Sequence, residues 1–180
     1  MTTEKIVEAL LESKTLDVSP AGYKCSINLF ECNLNKNDVS ELFQFEIDSN
    51  ISAIMINIPD GTVADIYRHE ERFHNINLTL MMKMLPKTLL NQYGNDLTYV
   101  TFAILHEIGH WVYFCEKNYT PLMYQAIDST ENNIVKEKYN LVQDAEQSFW
   151  EYRKITSESA ADQYALYNLE NSLKKIADIK

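Results

Sequence analysis

The sequence is poor in glycine, proline and cysteine, with four, four and three residues among 180. With so few breakers, and with no internal repeat or low-complexity tract, nothing marks a linker or a second domain. The cysteines, Cys25, Cys32 and Cys115, are odd in number and lack C-x-x-C spacing, which fits a reducing compartment better than a disulfide framework, although Cys25 and Cys32 could approach each other across a turn. They are expected to be structural thiols in a reducing compartment.

The sequence also lacks positive charge and a long apolar run. Its 16 basic and 26 acidic residues give a net charge of −10, so no basic stripe is available and no nucleic-acid partner is expected. The longest apolar stretch, Leu97 to Phe114, is interrupted by His106, Glu107 and His110, so no membrane span is expected. The start, Met1 to Ile6, lacks a basic segment followed by an apolar one, which predicts a cytoplasmic protein without a secretory signal.

Hydrophobic residues make up 46% of the chain, which excludes a disordered protein. A chain of 180 residues buries roughly 70% of its unfolded surface in one core. The sequence therefore predicts a single domain over residues 1–180.

The pentapeptide His106-Glu107-Ile108-Gly109-His110 has the H-E-x-x-H pattern of zinc hydrolases and lies between two apolar runs. On a helix the two histidines lie about 40° apart, one turn from each other, as two ligands of one metal must. Burying these groups without partners would cost several kcal/mol, and a metal ion removes this penalty. The alternative is a chance pattern whose histidines are hydrogen-bonded in the core.

A catalytic zinc needs a third protein ligand and keeps one position for water. His69 and His74 are five residues apart, about 140° on a helix, so they are not expected to chelate as a pair. Glu158 and Asp162 share a face of a predicted helix, where Glu158 suits a ligand and Asp162 suits a hydrogen-bond partner of a ligating histidine. The alternative is a solvated acidic pair.

Three small residues of this second helix favour the ligand interpretation. Ala160, Ala161 and Ala165 predict a close approach to the helix of His106, which would bring the short Glu158 side chain to the metal.

The two segments, HEIGH at 106–110 and ESAADQYA at 158–165, resemble the gluzincin pattern HExxH…ExxxD and, more narrowly, the ImmA/IrrE family of cytoplasmic metallopeptidases. The resemblance covers about 60 residues. It implies that His106, His110 and Glu158 bind Zn2+, that Glu107 is the general base and that Asp162 orients a histidine. It also implies a protein or peptide substrate, in that family often a transcriptional repressor.

Two departures from the pattern concern the substrate and the transition state. The stretch after the second motif, Leu166 to Glu170, continues as polar helix where many relatives have an apolar segment with Met-Pro. No histidine follows His110, whereas thermolysin-type gluzincins use a later histidine to stabilise the transition state. Tyr152 and Tyr164 are the candidates to replace it.

The sequence therefore predicts a zinc-dependent peptidase in which Glu107 accepts a proton from a zinc-activated water and passes it to the leaving amine. One alternative is a regulatory or interaction protein that keeps the metal for stability or binding, although a structural zinc would have four ligands and no use for Glu107. Another is a deformylase-like amide hydrolase, but Cys25 and Cys32 lack the surroundings of its cysteine ligand.

The predicted fold is α+β and zincin-like, with a small N-terminal sheet, a central HExxH helix and a helical C-terminal half. The pattern of residues 38–45 is ambiguous, and a helical turn is one option. For residues 76–92 we favour a strand at 76–80 that leads into a helix. The alternative is helix throughout, with Pro86 opening a new turn. Either 53–58 or 76–80 is expected to offer an edge to an extended substrate. Residues 117–155 are expected simply to pack as helices, with a wall or lid over the cleft as the alternative. The remaining predicted elements are helices at 4–14, 97–116 (capped by Asp96), 121–129, 132–154 and 156–177, and strands at 23–30 and 54–58.

Overall fold

The computed structural model describes residues 1–11, 16–31, 42–48, 53–139 and 144–179. It is an α+β fold, mostly helical, with a small sheet in the N-terminal third. The strands are β1 (Cys25–Glu31), β2 (Gln44–Asp48) and β3 (Ala53–Asp60). The helices are α1 (Thr3–Leu10), α2 (Val63–Phe73), α3 (Asn75–Met84), α4 (Lys87–Tyr93), α5 (Asn95–Glu116), α6 (Pro121–Lys138), α7 (Ala145–Tyr152) and α8 (Thr156–Ala177).

The sheet has the order β1-β3-β2, parallel between β1 and β3 and antiparallel between β2 and β3. In β3, Ile54, Ile56 and Ile58 alternate with less buried residues and enter the core. This is the period-two pattern that predicted the strand. The strand was expected to end at Ile58, but it continues through Pro59 to Asp60, paired with β1. Its pairing with β2 ends at Asn57, so Pro59 has a strand on one side only, where a proline is tolerated.

Helix α5 lies at the centre of the molecule, with every residue from Thr98 to Trp111 buried. Helix α8 packs along it, with the backbone of Ala161 against Gly109 of α5, and Ala161 and Ala165 are fully buried. The predicted close approach of these two helices is therefore confirmed. One continuous apolar cluster joins α1, the sheet, α2 to α6 and α8.

Several predicted elements are confirmed with small changes of bounds. Helix 156–177 is found as predicted, and the active helix ends at Glu116 but begins two residues earlier than expected, after Gly94. Asp96 is therefore inside the helix rather than its N-cap, and its carboxylate accepts the Leu97 N–H. Of the predicted helix 4–14, residues 4–10 are helical, Leu11 is extended and 12–14 lie outside the described residues; the helix begins one residue earlier, at Thr3.

The strand preferred at 76–80 is wrong, and the all-helical alternative holds. Helices α3 and α4 cover this segment and are separated at Leu85 and Pro86. The predicted break near residue 130 is also wrong, because α6 runs unbroken to Lys138. The predicted helix 132–154 is instead interrupted, as Tyr139 has extended backbone angles and α7 begins only at Ala145.

Two elements were missed, α2 and β2. Residues 44–48 are a strand, and no helical turn is present at 44–45; residues 38–41 lie outside the described residues. The alternation of Phe45 and Ile47 with polar neighbours has the period of two that is typical of a strand, so this pattern could have predicted β2. No helix of the described ranges is both long and apolar enough to cross a membrane.

Candidate metal centre

The side chains of His106, His110 and Glu158 converge on one point, although 48 residues separate the first from the last. The two Nε2 atoms lie 3.1 Å apart. The Glu158 Oε2 atom lies 3.2 Å from His106 Nε2, and its Oε1 atom lies 3.3 Å from His110 Nε2. All three side chains are buried, so the convergence is a feature of the interior.

The size of this triangle fits one small cation. Ligand atoms about 2.0 to 2.2 Å from a tetrahedral zinc lie about 3.3 to 3.6 Å from each other. The two Nε2 atoms lie 3.1 Å apart, and each lies 3.2 or 3.3 Å from the nearer Glu158 oxygen, which is close to this range. Two imidazoles and a carboxylate are also a donor set that zinc accepts.

The other nitrogen of each histidine ring has its own partner. The Nδ1 atom of His106 lies 3.2 Å from Asp162 Oδ1, and the Nδ1 atom of His110 lies 2.9 Å from the Tyr124 hydroxyl. Phe102 and Phe45 stack on the two rings at centroid distances of 6.1 and 5.8 Å. These contacts fix the ring planes and hold both Nε2 atoms toward the centre.

Arg153 and Tyr152, at the C-terminal end of α7, hold the carboxylates in place. The Arg153 guanidinium donates to Glu158 Oε2 at 2.7 Å and to Asp162 Oδ2 at 2.8 Å, and its Nη2 atom contacts Asp162 Oδ1 and His106 Nδ1. The Tyr152 hydroxyl donates to Glu158 Oε1 at 2.9 Å. The forked guanidinium therefore links the candidate ligand Glu158 to Asp162.

The charges around the centre favour a cation. The carboxylates of Glu107, Glu158 and Asp162 are buried, and Arg153 compensates only one of their charges. Burial raises the pKa of Glu158, but hydrogen bonds and charge interactions with His106 and His110 outweigh it and hold that pKa well below its ordinary value. Because buried negative charge is costly, a divalent cation bound at this centre would offset it.

The candidate ligands lie in the wall of a cavity of about 360 Å³, and Glu107 lies in the same wall. Gln44 and Phe45 of β2 border the cavity on one side. Residues between the two motifs border it on another; they are Tyr124, Asp128, Phe149, Tyr152 and Arg153. Residues of α6 and α7, together with Arg153, thus line part of the cavity.

The tyrosine candidates for the transition state differ in position. Tyr152 lines the cavity, whereas Tyr164 lines a separate depression with Gly109, Val112 and Tyr167. Tyr124 and Arg153 were missed by the sequence reasoning. Tyr124 contacts His110, and Arg153 contacts Glu158 and Asp162. These sequence separations belong to no known motif, so only the fold could identify the two residues.

His69 and His74 do not lie on one continuous helix or strand, as the expectation that they would not chelate as a pair assumed. Helix α2 ends at Phe73, and His74 adopts φ −127° and ψ 30°, so the helical angle of about 140° does not apply. One ligand atom each from His69, Glu70 and His74 lies within 4.8 Å of the other two.

No protein-family model, no curated protein and no solved structure matches this chain. The resemblance to gluzincins therefore rests on the two sequence motifs alone.

Proposed function

We propose that this protein is a zincin-like, zinc-dependent metallopeptidase of gluzincin type, related to the ImmA/IrrE family, that hydrolyses a protein or peptide substrate. The observation that carries the proposal is the triangle of His106, His110 and Glu158 in a cavity wall that also holds Glu107. Three protein ligands leave a fourth position open, as a catalytic zinc requires. We place the activity in the cytoplasm because the sequence has an odd number of cysteines without C-x-x-C spacing.

His106, His110 and Glu158 would hold a zinc ion there, and such an ion would supply Lewis-acid polarisation of the scissile carbonyl and a lowered pKa, of about 7, for a bound water. Glu107 accepts the proton of the attacking water and donates it to the leaving amine. Asp162 and Tyr124 hold the His106 and His110 rings, and Arg153 and Tyr152 hold Glu158, so the residues are oriented before substrate arrives.

Strand β2 is the element that supports an extended peptide substrate. The two expected segments do not serve, because 53–58 lies in the central strand β3 and 76–80 is helical. Within the described chain β2 pairs with β3 on one side only, and Gln44 and Phe45 at its start border the cavity. A peptide paired with the outer edge would pass the ligands with its backbone hydrogen bonds satisfied.

A hydrolysis assay in H₂¹⁸O tests the proposal. The Zn2+-loaded protein is incubated with a mixed peptide library and with helix-turn-helix repressors, and mass spectrometry detects new C-termini that carry one ¹⁸O atom. We expect Glu107→Gln to bind zinc and to lose at least about a hundredfold in rate. Glu116→Gln is the matched control, because it makes the same change at the exposed end of the same helix.

The outcomes separate the enzyme from a binding protein. Cleavage by the wild type and by Glu116→Gln, but not by Glu107→Gln, supports the peptidase. Equal cleavage by all three removes Glu107 from the mechanism. Metal binding with no cleavage of any repressor or library peptide supports the alternative, a regulatory or interaction protein that keeps the metal for stability or binding.

A further inference from the structure

We propose that His69, Glu70 and His74 form a second divalent-metal site, in the wall of the same cavity as the first. Helix α2 supplies His69 and Glu70, and His74 lies at the break between α2 and α3. Together they offer the same donor set as the first centre, two imidazoles and one carboxylate. Their ligand atoms, within 4.8 Å of one another, are near enough to close on one ion with a small movement of His74.

The burial of these groups supports a ligand rather than a solvated cluster. His69 is 3% exposed and Glu70 is 7% exposed. The Nε2 atom of His74 is buried and has no hydrogen-bond partner among the described residues. A buried imidazole nitrogen without a partner is costly, and a metal ion would satisfy it.

The surroundings hold the ligands as a metal site requires. The Tyr99 hydroxyl hydrogen-bonds Glu70, so a residue of α5 fixes the carboxylate of α2. The His69 ring packs against Phe73 at 4.7 Å between centroids and lies 6.2 Å from the His74 ring. Because the break after Phe73 turns His74 back toward His69, the sequence spacing of five becomes a chelating arrangement.

The site would leave an open coordination position toward the cavity. Glu70 and His74 both line that cavity, and three protein ligands do not complete a tetrahedral or octahedral shell. Imidazole and carboxylate ligands suit Zn2+, Ni2+, Co2+ or Fe2+ more than Ca2+ or Mg2+. A metal there would present a water, or bind a group of the substrate, in the same chamber as Glu107.

The test counts metal ions in variants of each centre. Metal-free protein is titrated with Zn2+ and with Co2+ by calorimetry, and bound metal is measured after desalting. We expect two equivalents for the wild type and one each for Glu158→Gln and His74→Ala, with the second-site affinity reduced at least about a hundredfold in His74→Ala. Asn77→Ala, an exposed change in the same cavity wall, is the control and should bind two.

A second measurement avoids any dependence on variant folding. The chain has four histidines, two in each cluster, so a ¹⁵N spectrum of the rings contains four ring systems. We expect Zn2+ to shift the ring nitrogens of all four by the second equivalent. If the rings of His69 and His74 stay unshifted at two equivalents, and His74→Ala binds as much metal as wild type, the second site is overturned.

The same data distinguish failure of the second site from failure of the first. Suppose that the wild type binds one equivalent of metal, and that Glu158→Gln abolishes this binding while His74→Ala does not. This result would leave the proposed peptidase centre intact and overturn the second site. If the wild type binds one equivalent of metal that is lost in His74→Ala and kept in Glu158→Gln, the result would support the His69 cluster and remove the basis of the proposed function.

Discussion

Gly109 contacts the backbone of Ala161 so closely that a methyl group on Gly109 would lie 2.8 Å from the Ala161 Cα atom and 2.9 Å from its carbonyl oxygen. Gly109 precedes the candidate ligand His110, and Ala161 lies between Glu158 and Asp162. The glycine therefore sets the spacing between the helix that carries both histidines and the helix that carries both carboxylates.

Gly109→Ala is expected to force α5 and α8 apart. Overpacking costs about 1 to 3 kcal/mol, and the better helix propensity of alanine returns up to about 1 kcal/mol, so we expect a net loss in the free energy of unfolding. Zinc affinity should fall at least about tenfold because Glu158 and Asp162 move with α8. Urea unfolding and calorimetry measure the two effects.

The double variant Gly109→Ala/Ala161→Gly serves as the control for this prediction. The near atoms of Ala161 belong to its backbone, so removing its methyl group should not restore stability or zinc affinity. A fully restored double variant would contradict the backbone contact.

Tyr124→Phe is expected to weaken metal binding without unfolding the protein. The change removes the hydroxyl that lies 2.9 Å from His110 Nδ1 and keeps the ring that packs on Phe45 and Phe114. Loss of such a partner lowers metal affinity about 10- to 100-fold. Tyr119→Phe, which removes a neighbouring hydroxyl paired with Tyr113, should leave the affinity unchanged. Equal affinities in Tyr124→Phe and Tyr119→Phe would exclude this role.

Arg153→Met is expected to destabilise the metal-free protein by about 3 kcal/mol or more, because it leaves the buried carboxylates of Glu158 and Asp162 without their partner. Zinc should recover part of the loss, so Zn2+ should raise the melting temperature more in this variant than in wild type. Lys154→Met breaks an exposed pair with Glu151 and should cost less than about 1 kcal/mol. Similar losses in both variants, measured by urea unfolding in EDTA, would show that Arg153 is not structural.

The thiols of Cys25 and Cys115 are expected to be poorly reactive in the folded protein. Burial and the nearby Cys115 raise the pKa of Cys25 to about 12, and burial with the charges of Asp17 and Glu116 raises the pKa of Cys115 to about 11. At pH 8 the Cys25 thiolate is then about a thousandfold rarer than that of a free cysteine. A disulfide reagent should label native Cys32→Ser protein slowly and urea-unfolded protein fast. Rapid labelling of two thiols in the native variant would contradict this.

The raised thiol pKa values also have a consequence for stability. The folded state binds these protons more tightly than the unfolded state, so their contribution to stability is present below about pH 8.5 and is lost as pH rises through the folded values.

The sequence predicted the candidate site better than the fold around it. The histidines are one helical turn apart, and Glu158 shares a face with Asp162, so local spacing sufficed for those residues. Tyr124 and Arg153 meet the site only through tertiary packing, which no spacing encodes. The secondary structure of residues 76–84 also could not be predicted from periodicity, because a short apolar run suits a strand and a buried helix equally. His74 shows most clearly what spacing cannot predict. The expected angle between His69 and His74 assumed one continuous helix, but α2 ends at Phe73, one residue before His74.

The most direct test of the central claim is a crystal structure of Glu107→Gln grown with Zn2+, with diffraction data collected on both sides of the zinc absorption edge. We predict an anomalous peak about 2.0 to 2.2 Å from the Nε2 atoms of His106 and His110 and from a carboxylate oxygen of Glu158. A fully zinc-equilibrated crystal with no peak at these three residues, or with Glu158 turned away from a metal held by other groups, would contradict the account.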